Sequence, residues 1–319
     1  MTTIIPIEGV YLSSSIDLKK LYGDAFLSVY KTLRISTPEE IKNPSEIQFA
    51  LSWKPTDDAF YKYPNIKMVS SVGAGVDSIL SCPSLSADTI VTRVIDPYQA
   101  YTMAGFVVWQ VIWYHRNFGK YLVNEKKHIW EWVESVPVNE CTVGILGFGM
   151  LGQAVAKSLL PLGYKIIVAC RTERNETCCP NITIKHGPKS ILDTAEKSNI
   201  LVNLLPLTSL TRSILNSVLF DTMPKGGVLI QVGRGEHLVE EDLVTALDDG
   251  KLSAATLDVF CNEPLPSDHP FWNDPRIMIT PHIASESSVA TVVEQVSISV
   301  KDISHGRIPR FSINRDREY

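Results

Sequence analysis

Three short segments of this 319-residue chain carry residue types able to bind phosphate, hold a carboxylate and move a proton. In the first, an apolar run at 142–146 leads into Gly147-Phe148-Gly149-Met150-Leu151-Gly152 and a helical pattern at 151–162. A GxGxxG between a strand and a helix suits a dinucleotide pyrophosphate. Gly147 permits the tight turn, Gly149 lets backbone N–H groups approach, and Gly152 allows the helix to pack on the strand. The helix start at Met150 and Leu151 adds N–H donors and the positive end of the helix dipole. In the second segment, Val232-Gly233-Arg234-Gly235 ends the apolar run 228–232. The guanidinium fork can hold a carboxylate and polarise a neighbouring ketone, and the flanking glycines leave room for ligands beside it. In the third, His282 follows the run 277–280, and Glu263 follows the run 254–259 that contains Asp258. A carboxylate against an imidazole fixes its tautomer and favours the protonated ring, which suits a proton donor near neutral pH. A cation and a proton donor are what nicotinamide-dependent reduction of a carbonyl requires. An arginine at a turn and a single histidine are also ordinary structural residues, so this spacing alone is a suggestion.

The run 165–169 ends where a dinucleotide fold reads the adenosine ribose. The chain there has Cys170-Arg171-Thr172-Glu173-Arg174, with no aspartate at the strand end. Arg171 and Arg174 can clamp a 2′-phosphate with the Thr172 hydroxyl as a further donor, which favours NADP over NAD. The alternatives are a solvated strand terminus, or Glu173 taking the ribose hydroxyls of NAD.

These segments need elements to position them, and the middle of the chain supplies a repeated pattern. Apolar runs at 142–146, 165–169, 199–205, 228–232, 254–259 and 277–280 lack in–out alternation, as expected of parallel strands buried on both faces. Helical patterns at 151–162, 190–198, 210–222 and 239–249 lie between them, the last with Glu240, Glu241 and Asp242 at its start and Gly250 at its stop. This order predicts an α/β fold with a doubly wound parallel sheet. The first hundred residues repeat the style, with strands predicted at 3–7, 47–53, 67–71 and 89–94 and a helix at 16–33. A long helical stretch follows at 103–118, and another at 288–304 precedes an Arg-rich tail. The expected organisation is a discontinuous domain of residues 1–102 and 284–319, into which a dinucleotide-binding domain of residues 103–283 is inserted.

Composition narrows the class. The chain is 45% hydrophobic and 20% charged, with ordinary Gly and Pro content, so collagen-like, low-complexity and disordered classes are excluded. A net charge of -5 offers no basic excess for nucleic acid or an anionic membrane. The strongest apolar run, 103–113, is interrupted by Gln110 and falls short of the roughly 20 residues that span a bilayer. The N-terminal residues do not read as a secretory signal. Six cysteines without CxxC or Cys/His spacing give no case for a metal; scattered free thiols fit a reducing cytoplasm better than disulfides do.

GFGMLG, NLLPLT (203–208), VGRG, LDVF (257–260), NEPLP (262–266) and TPHIA (280–284), in this order, resemble the D-2-hydroxyacid dehydrogenase family over about residues 50–310. ALSWKP (50–55), VGAGVDSIL (72–80) and the arginine at the ribose position resemble its bacterial glyoxylate/hydroxypyruvate reductase branch. The resemblance implies a Rossmann domain inserted in a smaller flavodoxin-like domain, with an active site between two lobes that close to exclude water. It implies that Arg234 binds the keto acid, that Glu263 orients His282 and raises its pKa, and that His282 protonates the carbonyl oxygen. By the same resemblance Leu205, Pro206, Thr211, Val232 and Gly233 line the cofactor, and Asp258 faces the nicotinamide carboxamide. Trp53, Ala74 and Gly75 are implied to form the substrate pocket, with Trp53 favouring short substrates. The expected function is NADPH-dependent reduction of small 2-keto acids such as glyoxylate and hydroxypyruvate by a cytoplasmic enzyme. A homodimer built through the helix 103–118 is also implied, with Trp109, Trp113 and Tyr114 either at its interface or in the core. The alternatives are an NAD-linked dehydrogenase of larger D-2-hydroxy acids and a non-catalytic dinucleotide sensor, which would need no proton donor. Met103-Ala104-Gly105-Phe106 departs from the branch pattern and leaves substrate preference open; a glycine at a helix start also costs stability.

Overall fold

The computed structural model describes residues 7–29, 33–173 and 181–319, and the chain divides into two compact units, Met1–Tyr98 with Ser287–Tyr319, and Gln99–Glu286. Each is an α/β unit on a wholly parallel sheet.

The first unit holds β1 (Ile7–Ser13), α1 (Leu18–Val29), β2 (Leu33–Ser36), β3 (Ile47–Trp53), β4 (Met68–Ser71), α2 (Asp77–Leu80) and β5 (Ile90–Thr92). Its sheet runs β2-β1-β3-β4-β5, the flavodoxin-like order. One face is packed by Leu18, Tyr22 and Phe26 of α1 with Val292, Val293, Val296 and Val300 of the C-terminal helix; Phe60, Tyr63 and Ile79 cover the other.

The second unit contains α3 (Pro97–His115), which begins within the first unit's last residues, α4 (Phe118–Lys126), β6 (Thr142–Leu146), α5 (Met150–Leu159), β7 (Lys165–Cys170), β8 (Ile182–His186), α6 (Ser190–Ala195) and β9 (Ile200–Asn203). It continues through α7 (Ser217–Thr222), β10 (Gly227–Gln231), α8 (Glu240–Asp248), β11 (Leu252–Leu257) and β12 (Ile277–Ile279); α9 (Val289–Ser304) returns to the first unit. The seven strands run β12-β11-β10-β9-β6-β7-β8, a doubly wound Rossmann sheet whose order reverses between β9 and β6. Alternate strand residues feed opposite cores. Ile200 and Val202 join α3 and α5 on one face, while Leu201 joins α7 and α8 on the other. Among the described residues no helix is long and apolar enough to cross a membrane.

Several boundaries differ from the sequence expectations. The first strand is Ile7–Ser13, so most of the predicted 3–7 lies outside the described residues. The predicted helix 16–33 is described from Leu18 to Val29, and Leu33 already belongs to a strand that the continuing apolar pattern concealed. Only the second half of the stretch 210–222 is helical, and residues 210–213 are turn. Its helix starts only after Asn216, whose side chain accepts from the Leu219 N–H and caps it. The edge strand Ile182–His186 was not predicted; only Ile182 and Ile184 point inward there. Gly105 lies in the middle of α3 rather than at its start.

Candidate active site

Because the second unit's strands are all parallel, their C-terminal ends share one edge of the sheet, and the residues singled out for chemistry sit along it. Gly147 follows β6, Arg171 follows β7, Leu205 and Pro206 follow β9, Arg234 follows β10, Asp258 and Glu263 follow β11, and His282 follows β12. Open α/β sheets bind ligands at this edge, beside the point where strand order reverses.

The glycine turn lies at that point. Gly147 has φ +98, and a Cβ there would come 2.9 Å from the Leu204 carbonyl oxygen of the turn after β9. At Gly152 a Cβ would sit 2.0 Å from the Gly147 oxygen, so only glycine lets α5 pack this closely. A Cβ at Gly149 would meet nothing within 4 Å, and no side chain caps α5 there. An open approach to the N-terminus of a ten-residue helix, with Met150 and Leu151 in its first turn, fits a dinucleotide phosphate. Arg171 and Thr172 are exposed just past β7, while Arg174 lies outside the described residues.

The turn after β9 is braced from within. Leu205 N–H donates to Asn203 Oδ1 at 3.2 Å, and Thr211 Oγ1 donates to the Pro206 carbonyl at 2.7 Å. Val232 and Gly233 are buried beside it. The glycines flanking Arg234 have a packing reason. A Cβ at Gly233 would press on Asn203 Nδ2 (2.8 Å) and His237 Nδ1 (2.9 Å), and one at Gly235 would strike the Phe260–Cys261 backbone at about 2 Å. Gly235 therefore locks the Arg234 turn against the segment that carries Glu263. The Arg234 guanidinium is part-exposed, with Nη1 donating to the Gly233 carbonyl at 2.8 Å.

Glu263 divides its carboxylate. Oε1 accepts from the Phe260 N–H at 3.0 Å, and Oε2 lies 2.9 Å from His282 Nδ1. The contact with the carboxylate assigns the proton to Nδ1. Both side chains are only part-exposed. His282 has φ +55, a left-handed conformation uncommon for a histidine. Asp258 holds it there. The carboxylate accepts from Thr280 Oγ1 (2.6 Å) and from the Ile283 and Ala284 N–H groups (2.9 Å each), gripping the chain on both sides of the histidine. Asp258 is 1% exposed, with these partners in the His282 segment. Burial raises its pKa while these three hydrogen bonds lower it, and burial prevails.

A family model described as D-isomer specific 2-hydroxyacid dehydrogenase, NAD binding domain, matches residues 108–284. Glyoxylate/hydroxypyruvate reductase A of Yersinia enterocolitica is 35% identical over 266 residues, 82% of this chain and 84% of that protein. The chain belongs to the D-isomer specific 2-hydroxyacid dehydrogenase family. Its curated relatives place it in the glyoxylate/hydroxypyruvate reductase A branch of that enzyme family; the Salmonella heidelberg protein is 33% identical over 87% of this chain and 88% of its own. Among solved structures, a family member from Xanthobacter autotrophicus in complex with NADPH and MES matches with TM-score 0.90 at 30% identity, covering 98% of this chain and 100% of that one. An NADPH-dependent glyoxylate/hydroxypyruvate reductase from Sinorhizobium meliloti, in complex with NADP and sulfate, matches with TM-score 0.89 at 30% identity, covering 98% and 99%.

The remaining family positions lie in the first unit. Trp53 ends β3, one residue past Ser52, which pairs with Ser71 at the end of β4, and its ring lies 3.7 Å from where a Cβ on Gly73 would be. Ser71 shapes the turn that carries Ala74 and Gly75, accepting from the Gly73 N–H and donating to the Gly75 carbonyl at 2.7 Å. Of the aromatic residues on α3, Tyr114 turns inward. Its hydroxyl lies 2.7 Å from Thr256 Oγ1, and burial pushes its pKa up to about 12. Trp109 is 48% exposed. Sequence reasoning passed over three residues packed behind Arg234, namely Asn203, Gln231 and His237. The signal for two of them was a polar side chain at the end of an otherwise apolar strand.

Proposed function

We propose that this chain reduces short 2-keto acids, glyoxylate and hydroxypyruvate being the chemical type, to 2-hydroxy acids with NADPH. The observation that carries the reading is the Glu263–His282 pair, 2.9 Å apart, on the sheet edge that also bears Arg234 and an open GxGxxG turn. Gly147, Gly149, Met150, Leu151 and Gly152 would hold the pyrophosphate, with Leu205, Pro206, Thr211, Val232 and Gly233 along the rest of the dinucleotide. Arg171 and Thr172 would meet a 2′-phosphate, in keeping with the NADPH and NADP named for the structural neighbours. A bound dihydronicotinamide supplies a hydride to the keto carbon.

The chain's own residues do the rest. Arg234 pairs with the substrate carboxylate and draws charge onto the carbonyl oxygen. His282, held at Nδ1 by Glu263, delivers the proton of Nε2 to that oxygen, so the carbonyl gains one hydride and one proton and leaves as an alcohol. Glu263 stabilises the imidazolium before transfer and keeps the ring oriented after it. Initial rates with a panel of 2-keto acids against NADPH and NADH test the reading. Turnover fastest with glyoxylate or hydroxypyruvate and NADPH is expected; no turnover with any 2-keto acid would overturn it.

The free thiols Cys82, Cys141 and Cys261 accord with a reducing cytoplasm. We also infer a homodimer. Trp130 and Trp132, 104% and 78% exposed, follow the aromatic row Phe106, Trp109, Trp113 and Phe118, a large apolar surface for a second copy to cover. Light scattering should give twice the chain mass, and the double variant Trp130→Ser, Trp132→Ser should lower it; a wild-type monomer would refute the inference.

A further inference from the structure

Asn203, Gln231 and His237 are each fully buried, side by side at the ends of β9 and β10 and in the 3₁₀ turn Gly235–His237. Their hydrogen bonds form one connected set. Asn203 Nδ2 donates to Gln231 Oε1 at 2.8 Å and lies 3.0 Å from His237 Nδ1. Gln231 Oε1 also accepts from the Gly233 N–H, while its Nε2 donates to the Arg234 carbonyl at 2.8 Å. His237 Nδ1 accepts from the Arg234 N–H at 3.0 Å, so its lone pair lies there and the ring proton lies on Nε2. Nε2 faces the Pro206 carbonyl at 3.2 Å and donates to it.

Side chains of this cluster thus hold both the N–H and the C=O of Arg234. The same cluster holds the turn after β9, through Asn203 Oδ1 to Leu205 N–H and through His237 to the Pro206 carbonyl. Gly233 is part of the construction, since any Cβ there would collide with Asn203 and His237. One imidazole therefore ties the turn that carries the guanidinium to the turn assigned to the dinucleotide, with one nitrogen given to each.

We propose that His237 is a positioning residue that, with Asn203 and Gln231, couples the Arg234 turn to the Leu205–Pro206 turn, Nδ1 setting keto acid affinity and Nε2 setting dinucleotide affinity. The assignment of the two turns rests on the function proposed above. A residue that merely filled space would affect both affinities alike; one with two separate arms can have them cut one at a time.

His237→Asn keeps an acceptor near the Nδ1 position but cannot reach Pro206, whereas His237→Gln reaches Pro206 but leaves the Arg234 N–H without its acceptor. The readouts are the dissociation constant of NADPH, from nicotinamide fluorescence, and the KM for glyoxylate. Loss of one buried hydrogen bond predicts about a tenfold effect. His237→Asn is expected to weaken NADPH binding by about that factor with the glyoxylate KM nearly unchanged, and His237→Gln to do the reverse. Both constants moving together in both variants, or neither moving, overturns the proposal. Should the histidine variants fail to fold, Gln231→Met removes the donor to the Arg234 carbonyl, together with the acceptor of the Gly233 N–H and the Asn203 amide, while keeping side-chain length. It should raise the glyoxylate KM by a larger factor than the NADPH dissociation constant, and an NADPH effect as large as the KM effect or larger would sink the idea. Wild-type protein that binds NADPH but turns over no 2-keto acid would instead refute the function itself.

Discussion

Replacing Glu263 with glutamine keeps the size of the side chain and the bond from the Phe260 N–H, but turns the partner of His282 from a charged acceptor into a neutral amide. A hydrogen bond between charged groups contributes about 1.5–3 kcal/mol. In this structure that bond is the 2.9 Å contact between Oε2 and Nδ1, formed by side chains 17% and 28% exposed, so solvent weakens it only in part. If the imidazolium is needed as hydride arrives, the loss of about 1.5–3 kcal/mol lowers kcat/KM roughly 10- to 150-fold. His282→Ala should cost about 10²–10⁴-fold. The decisive assay is the double-mutant cycle. Glu263 is argued to act through the ring, so Glu263→Gln in the His282→Ala background should change kcat/KM by less than about threefold. NADPH binding, read by fluorescence, should stay near wild type in all three variants. A Glu263→Gln penalty of the same size with and without the histidine would refute the reasoning, because the carboxylate would then be acting on something other than the ring.

Arg171→Asp should raise the KM for NADPH by about 10- to 100-fold and shift preference towards NADH, the loss of charge-assisted bonds to a 2′-phosphate; an unchanged NADPH/NADH ratio places the ribose site elsewhere. Gly105→Ala should stabilise the protein by about 0.5–1 kcal/mol, since a Cβ there meets nothing within 4 Å in the middle of α3. Thermal melting reads this, and a lower Tm would contradict the open environment at that position. Burial pushes the Cys141 thiol up to about 11, so at pH 8 about one molecule in a thousand carries the thiolate. Iodoacetamide should label exposed Cys261 well before Cys141 in folded protein, and equal labelling would show that the β6 entrance opens readily.

Much of this architecture is written locally. The strand 142–146 matched its predicted limits because a short run carrying Val143, Ile145 and Leu146 and bounded by a glycine turn has few other uses. Helix α8 did nearly as well, with three acidic residues at its positive end and Gly250 at φ +66 just beyond its C-terminus. The failures came where local patterns are ambiguous or incomplete. The apolar sequence through Leu33 reads equally as helix, and the edge strand Ile182–His186 has only half the burial that marks its neighbours.

The one-dimensional pattern was enough to specify a parallel α/β chain, its phosphate turn, and the three side chains proposed for the chemistry, because each depends on residues close together in sequence. Which strands are neighbours was decided only by folding. Placing β10, β11 and β12 side by side brings Arg234, Glu263 and His282 to one edge, although 48 positions separate the first from the last. Tertiary packing also turned Asp258 towards the His282 segment, sent Tyr114 into the core, and gave the glycines around Arg234 their steric reason. The cause is the same in each case. A buried polar group must find its partner, and a close backbone contact must find its space, among residues far away along the chain, where no local pattern reaches.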